Sequence, residues 1–120
     1  LGFTITGRGY DGRAKDYKGF VTAGLYPDGS VGELFVRFAK MGGRQGALLD
    51  SWAQAVSRQL QTGTSLEDVV EAYEFVGFPP AGMSSGHPGI HIVKSPLDFV
   101  AKWLRLRFLP PEEEAEEETS

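Results

Sequence analysis

The chain is 120 residues long, 41% hydrophobic and 12% aromatic, with no cysteine and a formal charge of −4. That length suffices for one hydrophobic core and not for two. The absence of cysteine excludes a disulfide framework, a thiolate metal site and a cysteine nucleophile, and suits a reducing cytoplasm.

The balance of charge sits at one end. Six glutamates fall within the last nine residues, and leaving them out moves the formal charge from −4 to +2. Like charges with almost no apolar neighbours cannot offset the entropy of ordering. Leu1 to Leu109 therefore reads as one domain, and Pro110 to Ser120 as a disordered acidic tail. No window approaches the roughly 20 apolar residues that cross a bilayer, and the amino end lacks the basic-then-apolar pattern of an export signal. A soluble, cytoplasmic protein without a membrane partner is expected. The first residue is Leu1 rather than methionine, which reads as a piece of a longer chain or a lost start.

From Leu1 to Thr6, Leu1, Phe3 and Ile5 alternate with Gly2, Thr4 and Thr6, the period of a half-buried strand. Gly7 to Gly19 is rich in glycine and charge and reads as a loop. Its cations Arg8, Arg13, Lys15 and Lys18, interleaved with Tyr10 and Tyr17, have the ingredients of a single-strand nucleic-acid groove. Asp11 and Asp16 dilute that charge, so a solvated loop is the better reading and nucleic acid is not an expected partner.

A β-hairpin is expected between Gly19 and Lys40, turning at Pro27-Asp28-Gly29. Val21, Ala23 and Leu25 share one face of its first strand, and Leu34, Val36 and Phe38 one face of its second. Phe20 and Phe35 fall on the other face, which predicts that neighbouring strands or a partner chain covers it.

Met41 to Gly46 (MGGRQG) leads into a helix over Ala47 to Gln61, with Leu48, Leu49, Trp52, Val56 and Leu60 along one stripe and Gly63 at its end. Trp52 and Leu60 are expected to be buried. The free amides of that start, with Lys40, Gly42, Gly43 and Arg44, form a candidate anion site, although the spacing is neither a P-loop nor a dinucleotide fingerprint. Thr64 and Glu67 predict a capping box for a second helix, Ser65 to Val76.

The stretch from Phe78 to Gly89 is too rich in proline, glycine and serine for regular structure and reads as a loop. His87 and His91 are four apart, a metal-ligand spacing only on a helix, which Pro88 and Gly89 oppose. Ser84 and Ser85 lack the elbow of a serine nucleophile. Ile90, Ile92 and Val93 suggest a brief strand. Ser95-Pro96 then starts a last helix, with Leu97, Val100, Trp103, Leu104 and Phe108 inward, and Lys102, Arg105 and Arg107 outward. Phe99, Leu106 and Leu109 widen its apolar stripe beyond one face. The fold class expected from these elements is α+β, an antiparallel hairpin-based sheet covered by two to three helices.

Four blocks in order, VTAGLYPDGSVGELFVRFAKMGG, GALLDSWAQAVSRQLQTG, GFPPAGM and SPLDFVAKWL leading to FLPPEE, resemble the carboxyl-terminal TSCPD-type region of adenosylcobalamin-dependent (class II) ribonucleotide reductases. The resemblance runs from about Lys18 to Glu113. In that family the radical chemistry belongs to a separate barrel domain with catalytic cysteines and the cobalamin site. The family's carboxyl end usually continues into a cysteine-bearing, zinc-ribbon-like tail, whereas this chain has no cysteine and ends in an acidic tail.

The resemblance implies a non-catalytic accessory domain or small subunit that docks on a larger enzyme subunit or on a second copy of itself. The residues themselves assign no catalytic, metal or cofactor role. Phe20, Phe35, Phe99, Leu106 and Leu109 are the candidate partner surface, rimmed by Lys102, Arg105 and Arg107. The alternative is a regulatory domain that binds nucleotide or phosphate at the glycine-rich turn. An independent enzyme would need an acid–base or nucleophilic constellation, and none can be assembled.

Overall fold

The computed structural model describes residues 1–9, 11–39 and 43–111. In chain order the elements are β1 (Gly2–Arg8), β2 (Ala14–Leu25), β3 (Val31–Phe38), α1 (Gly43–Gln61), α2 (Leu66–Tyr73), β4 (Ala81–Ser85), β5 (Ile92–Val93) and α3 (Pro96–Phe108). The strands form one antiparallel sheet in the order β3-β2-β1-β4-β5. The fold is α+β.

Alternation decides which face of the sheet is buried. Phe3 and Ile5 of β1, Tyr17 and Val21 of β2, and Leu34 and Val36 of β3 are buried. The intervening side chains are largely exposed. The segment from Gly7 to Gly19, expected as a loop, is mostly strand. β1 and β2 pair through Arg8↔Ala14, and the Thr6 hydroxyl donates to the Asp16 carboxylate at 2.8 Å. Charged residues fit here because Asp16 and Lys18 occupy the open face, where they stay hydrated while Tyr17 fills the core between them.

The β2–β3 turn forms where Pro27-Asp28-Gly29 places it. Gly29 N donates to the Tyr26 carbonyl at 2.8 Å, with Gly29 at φ 89°, a conformation that favours glycine. The Ser30 hydroxyl and backbone N–H both donate to Asp28 and hold its carboxyl below the ordinary value of 3.8. That contribution is present above the ordinary value and lost as pH falls through the lowered one. Leu25, expected to share the buried face with Val21, is exposed because a bulge at Gly24/Leu25 turns it outward.

α1 buries Leu49, Ala53 and Val56. Trp52 and Leu60 are only half-buried, and Leu48, expected on the buried stripe, is exposed on the flank beside it. α1 also runs along the outer edge of β3. The Ser57 hydroxyl accepts from Leu34 N at 2.9 Å and lies 3.3 Å from Leu34 O, and Gln61 Nε2 donates to Gly32 O at 2.9 Å. These side chains occupy backbone groups that an added strand would use.

The cap of α2 lies one residue past the expected position. Ser65, not Thr64, accepts from the N–H three residues on, that of Asp68, at 3.1 Å. The helix ends at Tyr73 rather than Val76, where Phe75 adopts φ 70°. The segment expected as a loop up to Gly89 contains β4, which pairs along β1 from Thr4↔Ser85 to Arg8↔Ala81. A short strand of glycine and serine gives no local signal, and pairing with β1 supplies what propensity does not.

The core joins the inner sheet face to all three helices. At its centre the rings of Phe3 and Phe99 stack with centroids 3.9 Å apart, and Phe38 meets Phe3 edge-on at 5.2 Å. Gly19 sits beneath them, where a Cβ would lie 2.9 Å from both Phe3 and Phe38. The close aromatic packing therefore requires glycine there.

Candidate functional site

The expected anion site begins at the first turn of α1. Gly43 and Arg44 are exposed there, and that turn carries no acidic residue. Lys40 and Gly42 lie outside the described residues. One residue further on, Gln45 Nε2 donates to the Pro79 carbonyl at 2.7 Å and ties the helix start to the chain before β4. Beside it is an apolar cleft of about 220 Å³ lined by Gln45, Leu48, Leu49, Trp52, Phe78 and Leu97. The Trp52 indole N–H is buried without a partner.

His87 and Ser84 brace the loop before β5. His87 Nδ1 accepts from Gly89 N at 2.9 Å, and the Ser84 hydroxyl donates to the Ile90 carbonyl at 2.9 Å. Among the described residues, no three histidine or carboxylate side chains come together as metal ligands.

A buried charged cluster lies where the end of α2 meets α3. Asp98 is fully buried. It accepts from Phe75 N at 2.7 Å, from Lys94 N at 2.8 Å and from Lys102 Nζ. Glu74 accepts from Arg105 at 3.0 Å and faces Lys102 at 3.9 Å. Both carboxylates are thus engaged by donors that fix the backbone and the helix pair. Their chemistry is structural: they hold the left-handed residue Phe75 in place. The apolar pattern of the last helix does not single out Asp98. Its i, i+4 spacing to Lys102 is the signal that was available.

This cluster takes two of the three residues out of the expected basic rim, because Lys102 and Arg105 are paired with Asp98 and Glu74, while Arg107 is exposed. The expected partner residues separate as well. Phe99 is fully buried against Phe3 and cannot meet a partner. Leu109 is half-buried and packs on the core, while Leu106 is 42% exposed.

Phe20 and Phe35 come together. They stand on adjacent strands of the open face, Phe20 opposite Arg37 and Phe35 opposite Thr22, and are 62% and 53% exposed. The expectation that neighbouring strands cover them does not hold, since all three helices pack on the other face. The same open face carries Met83 and Ile92, a cross-strand pair missed from the sequence and about as exposed. No alternating run marks β4 and β5, so only the sheet register reveals that pair.

A family model described as the TSCPD domain matches residues 5–108. The chain belongs to the TSCPD domain family. Its sheet and helices are therefore those of a TSCPD domain, and curated relatives place such a segment in larger proteins. It is 39% identical over 93 residues to the vitamin B12-dependent ribonucleotide reductase of Rhodopirellula baltica, covering 78% of this chain and 9% of that one. The corresponding enzyme of Streptomyces avermitilis is 37% identical over 93 residues, with 78% and 10% covered. That of Agrobacterium fabrum is 36% identical over 104 residues, with 87% and 8% covered. The TSCPD domain thus spans about a tenth of the length of the curated relatives it matches. No solved structure gives a significant match.

Proposed function

We propose that this TSCPD domain is a non-catalytic accessory part of a class II ribonucleotide reductase and acts by docking on the larger enzyme. The observation that carries the reading is the open sheet face, which exposes Phe20 and Phe35 side by side while every helix packs behind it. Large aromatics on a flat, uncovered face suit a protein contact. The charged groups point the same way. Among the described residues, the carboxylates of Asp98 and Glu74 are committed to backbone amides and ion pairs rather than set beside a nucleophile.

The test replaces the matching segment of the Rhodopirellula baltica reductase with this chain, alongside an enzyme from which the segment is deleted. The chain alone is expected to reduce no ribonucleotide. The deletion is expected to lower adenosylcobalamin-dependent turnover, and insertion of this chain to restore it. A deleted enzyme with undiminished turnover would overturn the proposal.

A further inference from the structure

The open face has a layout that discriminates between occupants. Phe20 and Phe35 form one apolar island on β2 and β3. Met83 and Ile92 form a second on β4 and β5, 69% and 70% exposed. The register puts the two at opposite corners: Phe20 lies next to Gly2, and Met83 next to Thr6, about 13 Å further along β1. Between them the face is polar, with Thr4 flanked by Lys18 and Ser85 on the neighbouring strands.

A stable free-standing interface is built the other way, with an apolar centre, a polar rim and about 800 Å² buried on each partner. On this face the order is reversed, with the large apolar side chains at the corners and polar ones at the centre. Growth of the sheet into a second copy through β3 is opposed as well, since Ser57 and Gln61 of α1 occupy its edge. Two apolar corners around a polar centre suit a contact between domains of one chain, where a tether supplies effective concentration.

We infer that the open face, gripping with Phe20–Phe35 at one corner and Met83–Ile92 at the other, seats on the remainder of a reductase polypeptide to which the domain is tethered, and not on a second copy of itself. The inference rests on the accessory-domain reading and adds the second corner, Met83–Ile92, and the choice of a tethered seat over a second copy of the chain. The share of the relatives' length that the domain covers, 9% in Rhodopirellula baltica, leaves a large polypeptide to supply that seat.

The experiment is hydroxyl-radical labelling, read side chain by side chain by mass spectrometry, on this chain alone and on the Rhodopirellula baltica reductase carrying it. The chain alone is expected to sediment as a monomer with all four residues freely oxidised. In the chimera their oxidation is expected to fall several-fold, while Leu48 and Phe75, exposed elsewhere, label equally in both. Equal oxidation in an active chimera would overturn the docking surface and leave the accessory reading standing. Protection in an inactive chimera would support the surface and count against that reading. Equal oxidation in an inactive chimera would overturn both. A dimer of the chain alone with the four residues protected would overturn the occupant.

Discussion

Replacement of Asp98 by alanine is expected to destabilise the domain by about 3–5 kcal/mol, the cost of breaking a buried charged network by removing one partner. The substitution strips acceptors from two backbone amides, Phe75 N and Lys94 N, and leaves Lys102 without its nearest counter-charge. Phe75 is the sensitive point. Its backbone is in the left-handed region, disfavoured for an aromatic residue, and the Asp98 contact together with the Lys102 ammonium 4.1 Å above its ring holds it there. Asparagine at position 98 keeps one acceptor oxygen but turns an amide toward donors, so an intermediate loss is expected. Urea denaturation followed by circular dichroism measures both variants. An Asp98→Ala midpoint equal to wild type would show that the network does not hold the α2–α3 junction.

The second large effect is expected from Phe99→Ala, a loss of about 3–5 kcal/mol. The ring is fully buried, stacked on Phe3, and removing it also loosens the Phe3–Phe38 contact that closes over Gly19. Domains of this size have only about 5–15 kcal/mol in total, so the variant should be near unfolding at ordinary temperature. Phe99→Leu keeps most of the volume and should lose much less. Thermal melting distinguishes the two. A Phe99→Ala protein that melts with the wild type would contradict the core described here and return Phe99 to the surface.

Phe99 also illustrates where the sequence was legible and where it was not. The helix over residues 96–108 is plain from Ser95-Pro96 and its apolar spacing, but its stripe is wider than one face. That width admits two physical causes, a partner outside or several packed neighbours inside. The structure selects the second: α3 lies in the core beside α2 and the sheet, so Phe99, Val100, Ala101, Trp103 and Leu104 are all buried. Local periodicity cannot separate these causes, because they differ only in tertiary contacts.

The central hairpin was legible because its turn chemistry and its alternation agree. β4 was not, since Ala81 to Ser85 has neither β-branched residues nor a clean period, and its strand character comes from β1, more than 70 residues earlier in the chain. Failing to read β4 as a strand hid Met83 on the open face. The Gly7–Gly19 region failed for a related reason: charge reads as loop until one knows that its other face is the solvent side of a sheet. Phe20 and Phe35 were placed on the second face correctly, because alternation alone fixes that assignment.

If the accessory domain works through its open face, Phe20→Asp and Phe35→Asp made together in the chimeric Rhodopirellula baltica reductase will show it in the turnover. Both side chains lie outside the core, so the same double variant of the isolated chain should keep its circular dichroism spectrum and still melt cooperatively, at a temperature lowered by a few degrees for aspartate's poor strand propensity. The prediction is that turnover falls to the level of the enzyme lacking the segment altogether. A folded double variant that runs at the rate of the unmodified chimera would contradict it.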